Sequence, residues 1–295
     1  MKKGRFLILD VFAEEKYAGN QLAVFLDAAT FTDSEMQTLA KEMNYSESTF
    51  ILTDQVDSAG YPVRIFTPAE EVPFAGHPTL GTAYVIQSEI IKKPVDRLIL
   101  KLKVGDIPVS FTYHNGELQS LWMTQKNPVF GEIFEAGTIA EMLSLREQDI
   151  DERFPIQEVS TGLPFIIVPL IGLESVQKAM VKRDQFFEFI KNREVKSILV
   201  FSSGTYSPDH QLNVRVFVDY FGIPEDPATG SANGCLAGYL VRYGYFDSNI
   251  IDITVEQGYE IGRYSQLYLR AREESGQFRI EVGGKVIAIA EGKLF

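Results

Sequence analysis

The sequence predicts an α+β protein built as two pseudo-symmetric domains, each a curled β-sheet or barrel around a central helix, and three observations carry that reading. The first is a repeat. Val63 to Ile86 reads VRIFTPAEEVPFAGHPTLGTAYVI, and Val214 to Leu240 reads VRVFVDYFGIPEDPATGSANGCLAGYL. Each opens with four residues of strand character, passes a proline-bearing turn and reaches an Ala and a Gly that open an apolar helix. The second is spacing: Val63 and Val214 lie 151 residues apart, far beyond the period of a solenoid or propeller, so a domain is duplicated. The third is that both helices lack a polar face. A helix apolar on all sides is an enclosed one, and the neighbouring segments that would enclose it read as strands.

A chain of 295 residues accommodates two domains of roughly 100 to 150 residues, each with its own core. The repeat places them at 1–126, completed by the last strand at about 284–295, and at 127–283. An apolar fraction of 45% with 23% charged residues is that of a soluble globular protein, and no run reaches the ~18 apolar residues of a membrane span. The start, MKKGRFLILDVFAEE, follows its apolar run directly with Asp10, Glu14 and Glu15 and has no small-residue cleavage site, so it reads as a strand rather than a signal peptide. A single cysteine, Cys235, permits no intrachain disulfide and fits cytoplasmic residence. A net charge of −12 without a Lys/Arg cluster argues against nucleic acid as a partner. It does not exclude an anionic substrate, because distant surface charges are screened within ~8 Å.

In chain order, strand Leu7 to Phe12 leads through the Ala18-Gly19-Asn20 turn to strand Leu22 to Leu26. A helix from about Ser34, capped by Asp33 or Ser34, ends near Asn44. Glu47 then stands at the entrance of the next strand, an unusual place for a carboxylate. After VRIF, the prolines Pro68, Pro73 and Pro78 forbid regular structure until the enclosed helix begins at or just after Pro78. Strands follow near 98–104, 107–113 and 118–124, the last two joined by the HNGE turn. Asn127 to Phe134 reads as the crossing between halves. The second copy has a helix from about Ile139, strands near 157–160 and 165–170, a helix from Leu173 or later to about Asn192, and the strand SILVF. In its enclosed helix, Gly234 and Gly238 each lose about 1 kcal/mol of helix propensity relative to Ala, which implies close approach by surrounding strands. Four strands close the chain.

Several chemistries are absent. Gly76, Gly81 and Thr82 have the outer spacing of a phosphate-binding loop, but its lysine position is Gly81 itself. Ser231 lacks the glycine two residues earlier that a nucleophile elbow requires. His77, His114 and His210 form no ligand pair, so no metal site is expected. Acid–base chemistry by carboxylates and an imidazole remains. The two enclosed helices begin at Gly76-His77-Pro78 and Gly230-Ser231, and helix N-termini offer unpaired amides and positive dipole to a small anion.

At these residues the chain resembles the phenazine-biosynthesis isomerase family, the PhzF-like proteins. The matching pieces are AGNQLAVF, SESTF, FTPAEEVPFAGHPTLG, EDPATGSA, the Gln257-Gly258 pair and VGGK, in family order over nearly the whole chain. The resemblance implies a fold similar to diaminopimelate epimerase, a cofactor-free site between the domains, a small carboxylate substrate and a homodimer. It places the proton-shuttling glutamate at Glu47, with His77 and Asp226 as its polar companions. Ser46, beside the glutamate in SESTF, is expected to bind substrate with Gly76, Gly230 and Ser231, the last three matching the family's substrate contacts. Gln21 and Tyr264 stand where the family commonly has proline, which leaves pocket shape, and hence substrate, open.

Taken alone, Glu47 would be a surface carboxylate at a strand entrance, Asp226 a turn residue before Pro227, His77 a residue in the turn at a helix start, and Ser231 a cap. The resemblance makes them site residues of an isomerase that moves a proton between carbons of a cyclic carboxylate. Two other readings stand beside it: a non-catalytic carboxylate-binding protein on the same fold, and a cofactor-free epimerase acting on an amino-acid-like substrate. The lone cysteine counts against the two-thiol form of the latter.

Overall fold

A computed structural model describes residues 4–55 and 60–295; Met1–Lys3, where the N-terminal reading begins, lie outside the described residues. The chain divides into two compact units, one running to Thr124 and taking in Gly283–Phe295, the other Gln125–Val282. The first holds β1 Arg5–Val11, β2 Asn20–Leu26, α1 Asp33–Met43, β3 Glu47–Ile51, β4 Tyr61–Phe66, β5 Glu71–Val72, α2 Gly76–Val85, β6 Arg97–Leu102, β7 Gly105–His114 and β8 Glu117–Thr124. The second begins with β9 Val129–Phe134, α3 Ala136–Met142, β10 Ile156–Ser160, β11 Pro164–Pro169, α4 Leu173–Lys178, α5 Arg183–Ile190 and β12 Ile198–Ser202. It continues with β13 Leu212–Val218, β14 Ile223–Asp226, α6 Gly230–Arg242, β15 Ile250–Gln257, β16 Ser265–Glu274 and β17 Gln277–Gly284, after which β18 Val286–Lys293 returns to the first unit. No helix among the described residues is long and apolar enough to cross a membrane.

The two units repeat one pairing scheme. In the first, β18 pairs antiparallel with β1, β1 antiparallel with β2, β2 parallel with β3, β3 antiparallel with β4, β4 parallel with β6 and β6 antiparallel with β7. In the second, β9, β10, β11, β12, β13, β15 and β16 pair in the same succession of senses. The short strands β5 and β14 each run antiparallel to the end of the preceding strand and deliver the chain to the central helix. The duplication read from VRIF and VRVF therefore extends through the topology.

Strands that also carry an outer helix, such as β2 and β12, bury side chains on both faces by period-two alternation. In β2, Ala23 and Phe25 face outward into a cluster with Met36 and Ala40 of α1, where Phe25 stacks on Phe50 at 4.7 Å. Leu22 faces the other way, against α2. A Cβ on Gly81 of α2 would lie 2.5 Å from Leu22 Cδ2 and 3.0 Å from Val11 Cγ2, so glycine sets how closely helix and sheet approach. Gly76 to Ala83 and Val85 are buried, and α2 packs on β1, β2, β3, β6, β7, β8 and β18. In the second unit α6 is buried from Gly230 to Val241 and packs on β10, β11, β15 and β16. The outer face carries α3 and α5, with Ile139, Phe186 and Ile190 against Ile166, Val168 and Ile198.

One ion pair occurs twice. Arg64 of β4 holds Glu71 of β5 through two bonds of 2.9 Å and lies over Phe66. Arg215 of β13 holds Glu225 of β14 at 3.0 and 2.7 Å and lies over Phe217. Each arginine also fixes an outer helix: Arg64 reaches Asp33 in the first turn of α1 at 2.5 Å, and Arg215 Nη1 donates to the carbonyls of Val176, Gln177 and Ala179 at the end of α4.

The structure corrects several local expectations. The cap of α1 is Thr32, because its hydroxyl and Glu35 form a reciprocal capping box. The helix α2 starts at Gly76, not at Pro78, since a first-turn residue has no intrahelical acceptor to lose and proline is tolerated there. Asn127 to Phe134 is no plain crossing, because Val129–Phe134 pairs with β10. The helix expected from Leu173 or later is α5, and α4 precedes it as a separate short helix: Arg215 takes the carbonyls that would join the two, and the amides of Met180 and Lys182 turn to Leu143 and Met142. What approaches Gly234 and Gly238 is chiefly the side chains of Gln125 and Pro128 rather than strand backbone.

The side chains of Arg215 and Glu225 are 10% and 7% exposed, whereas those of Arg64 and Glu71 are 23% and 20% exposed and Lys103 stands 3.5 Å from Glu71. Arg215→Met is therefore expected to cost roughly 3–5 kcal/mol by stranding a buried carboxylate, and Arg64→Met roughly 1 kcal/mol. Denaturant unfolding measures both, and equal losses would contradict this assignment.

Candidate active site

In the first unit, β3 and α2 bring Glu47 and His77 together. Glu47 is the first residue of β3, in register with Leu22 of β2, and His77 is the second residue of α2. Glu47 Oε2 and His77 Nε2 are 3.5 Å apart, with side-chain exposures of 19% and 5%. Burial lowers the His77 pKa from 6.5 to about 3, and a hydrogen bond to the Gln21 backbone offsets this only in part. Nε2 carries no hydrogen bond among the described residues, so Nδ1–H donates to the Gln21 carbonyl. His77 is thus a neutral ring that presents a lone pair, not a cation, to the carboxyl of Glu47.

Two buried hydroxyls hold this geometry. Thr82 Oγ1 of α2 donates to Thr49 Oγ1 of β3 at 2.7 Å, which ties the helix carrying His77 to the strand carrying Glu47. Ser46 is half-buried immediately before Glu47, and Gly76 is buried at the start of α2. The amides of Gly76 and His77 stand in the first turn, where a helix has donors without intrahelical acceptors.

In the second unit, Asp226, Gly230 and Ser231 gather at the start of α6. Asp226 is 9% exposed and accepts a hydrogen bond from the Thr229 hydroxyl. Gln257 braces the turn. Its Nε2 donates to the Asp226 carbonyl at 2.8 Å and to Thr229 Oγ1 at 2.9 Å, while its Oε1 accepts from Thr229 N and Asn233 Nδ2. Gly258 has φ +77°, and a Cβ there would stand 2.7 Å from the Pro227 carbonyl, so only glycine lets the two turns meet. Thr229 occupies the cap position and Ser231 lies inside the helix, so Ser231 is not the cap.

Within the repeat, the acid–base groups do not correspond. Ser48 pairs with Phe66 and Ile198 with Phe217, so the counterpart of Glu47 is Ser197. The two Arg–Glu pairs align Glu71 with Glu225, which sets Val72 opposite Asp226 and His77 opposite Ser231. Glu47 in the first unit and Asp226 in the second thus occupy non-equivalent places in the repeat. Cys235 is buried inside α6, where burial pushes its thiol up to about 11. Among the described residues no group of three or more His, Cys, Asp or Glu side chains is placed to hold a metal ion.

Sequence reasoning passed over Thr49, Thr82, Thr229 and Asn233, and gave Gln257 no role. His210 lies in the loop before β13, and its Nδ1 is 2.8 Å from the buried Glu256. The common E-x-P-x-x-G spacing at Glu71 and Glu225, each following an arginine in the repeated strand, was the available signal for the paired ion pairs.

The fold is epimerase-like, and buried polar groups gather where α2 and α6 begin. The family described as "Phenazine biosynthesis-like protein" (PhzC-PhzF) matches residues 9–292. A trans-2,3-dihydro-3-hydroxyanthranilate isomerase of Pseudomonas aeruginosa is 34% identical, with 99% of each chain covered. The structure of a PhzF-family protein of Bacillus anthracis aligns over 100% of each chain with a TM-score of 0.91 and 28% identity. A probable proline racemase of Agrobacterium radiobacter, at 11% identity and a TM-score of 0.64 over 99% of this chain and 93% of that one, shares the fold alone. The chain belongs to the PhzF family, and it is an isomerase.

The unfolded chain takes up a proton on His77 near pH 6.5 and the folded chain only near pH 3, so His77 destabilises the fold progressively as pH falls below about 6.5 and has no such effect above it. Between about pH 7 and pH 5 the unfolding free energy of the wild type is expected to fall relative to His77→Gln by up to about 2 kcal/mol. Parallel profiles in urea would show that the ring is not buried neutral.

Proposed function

We propose that this isomerase works without a cofactor, moving a proton between two carbons of a small cyclic carboxylate. The observation that carries the reading is Glu47: a carboxyl placed against a buried, neutral imidazole acceptor, with a serine rather than a second carboxylate at its counterpart in the repeat. Glu47 as carboxylate takes a proton from an activated carbon, and the electron pair left behind delocalises into the adjoining unsaturated system. The same carboxyl, now protonated, returns the proton to the far end of that system. Atoms and charge balance with one base.

His77 suits the protonated step, because its Nε2 lone pair accepts a hydrogen bond from Glu47 O–H and steadies the acid until it donates. Asp226, braced by Thr229 and Gln257, takes a hydroxyl or amino group of the substrate. The first-turn amides at Gly76 and Gly230, with Ser231, receive its carboxylate. The relative named for trans-2,3-dihydro-3-hydroxyanthranilate supports a ring that bears both kinds of group. General acid–base catalysis contributes roughly 10²- to 10⁴-fold, which suffices for a carbon acid that the substrate itself activates.

Proton NMR in D₂O of trans-2,3-dihydro-3-hydroxyanthranilate and related cyclic carboxylates tests this. Wild type is expected to rearrange or exchange at least one of them, and Glu47→Gln to be slower by about 10³-fold or more with an unchanged folded spectrum. Binding to both proteins with no exchange in either would favour the non-catalytic reading. An active Glu47→Gln would remove Glu47 from the mechanism.

A further inference from the structure

The hydrogen bonds around Gln257 have a direction that backbone groups fix. Its Oε1 accepts from the Thr229 amide at 3.1 Å, and its Nε2 donates to the Asp226 carbonyl at 2.8 Å. A backbone amide can only donate and a carbonyl only accept, so the side chain of Gln257 has one orientation. Asn233 is oriented in the same way, because its Nδ2 donates to the Thr229 carbonyl at 3.0 Å as well as to Gln257 Oε1 at 2.8 Å. Gln257 Nε2 also donates to Thr229 Oγ1 at 2.9 Å. With a lone pair of that hydroxyl engaged, its single proton is left for Asp226 Oδ2, to which it donates. Asn233, Gln257 and Thr229 thus form a chain in which each member donates toward the carboxylate. Gln257 and Asn233 are fully buried, so solvent does not reorient their amides.

The first unit builds the same helix start without this chain. Its Arg–Glu pair aligns Glu71 with Glu225, so Asp226, Thr229 and Asn233 correspond to Val72, Ala75 and Thr79. Tyr61↔Leu100 and Leu212↔Val255 are equivalent strand pairs, which sets Leu102 opposite Gln257. Thr79 Oγ1 keeps one bond of the set, donating to the Ala75 carbonyl at 2.7 Å as Asn233 Nδ2 does to that of Thr229. The other positions are apolar: Ala75 caps α2 with no side-chain hydrogen bond, and Leu102 is buried. One central helix is therefore begun and enclosed with no such donors, and the fold does not require them. What the second unit has in addition is Asp226, on which the chain of donors ends.

We propose, on the reading above that Asp226 meets the substrate, that Thr229, Gln257 and Asn233 are positioning residues that hold Asp226 as a charged acceptor. Asp226 then binds an O–H or N–H donor of the substrate and takes no part in moving the proton between carbons. Donors aimed at the charged form of a carboxyl favour that form, and a proton placed on Oδ2 would meet the Thr229 proton head-on. The substrate group facing Asp226 must donate: a hydroxyl or an ammonium fits, and a second carboxylate is repelled. The charged residues on the elements packed around this turn are Glu225 of β14 with its partner Arg215 of β13, Glu256 of β15, and Glu260 and Arg263 in the turn that follows. The helix α6 brings no charge before Arg242. All of these stay the same when Thr229 is replaced.

The test uses the full chain with carbon-13 in its aspartate carboxyls, the Asp226 signal being assigned through Asp226→Asn. In the unliganded protein, Thr229→Val and the smaller Thr229→Ala are expected to raise the proton affinity of Asp226 about tenfold, the scale of a lost hydrogen bond to a charged group. Thr229→Ser is expected to restore the wild-type ionisation. With trans-2,3-dihydro-3-hydroxyanthranilate as the probe, Thr229→Val is expected to raise KM about tenfold while kcat changes less than about threefold, since the bond to Asp226 is the same before and during proton transfer. Unchanged ionisation in both Thr229→Val and Thr229→Ala would overturn the proposal. So would a loss of about 10³-fold in kcat at unchanged KM, which would put Asp226 in the proton transfer itself. The ionisation is read without substrate, so a wild type that does not act on the probe would count against the isomerase chemistry and leave the carboxyl signal to decide the proposal.

Discussion

A helix that saturates its own backbone and carries no polar face leaves a sheet little choice but to close over it, and α2 and α6 impose that constraint on the two units. Burial of side chains such as Leu80, Leu236 and Tyr239 is favourable by roughly 1.5–3 kcal/mol each, and the glycines on these helices let neighbouring groups come close. Only the first turn resists enclosure, because its amides have no intrahelical partner and burying them bare is costly. Polar residues consequently collect where each helix begins: Gly76 and His77 on one, Gly230 and Ser231 on the other. The site groups follow from the way the core is built.

Duplication supplied two such helix starts, and the copies then diverged in what they place there. The Arg64–Glu71 and Arg215–Glu225 pairs remained equivalent, since each clamps the strand leading to its helix and ties down an outer helix. The chemistry did not remain equivalent. Glu47 faces its neutral histidine in one unit and has Ser197 as its counterpart, while Asp226 in the other stands opposite Val72. A symmetric pair of bases would suit two-sided proton exchange, whereas one carboxyl beside a proton-accepting ring suits removal and return by the same group. The Thr49–Thr82 bond and the Gln257 hub hold each half in place.

Much of this fold was legible in the sequence because the signals were long and repeated. Strand alternation in VRIF and VRVF, the proline turns and the two all-apolar helices are local features that tertiary packing reinforces. The break between α4 and α5 was not legible, because it depends on Arg215, a residue about 40 positions away. The strand Val129–Phe134 was hidden by its glycine and its exposed side chains. At the site, Glu47, His77 and Asp226 stood out through family resemblance rather than periodicity. The residues that orient them, Thr49, Thr82 and Thr229, are small hydroxyls, and nothing in a single sequence separates a buried bridging threonine from an ordinary strand or helix threonine.

In the proposed reaction one carboxyl both takes and returns the proton. Its most direct test is a single turnover in ordinary water with the chain's substrate deuterated at the carbon that loses its proton. If Glu47 carries the label across a site shielded from water, a measurable fraction of product bears deuterium at the carbon that gains it. Complete loss of label from the earliest product would contradict the account and point to separate donor and acceptor groups.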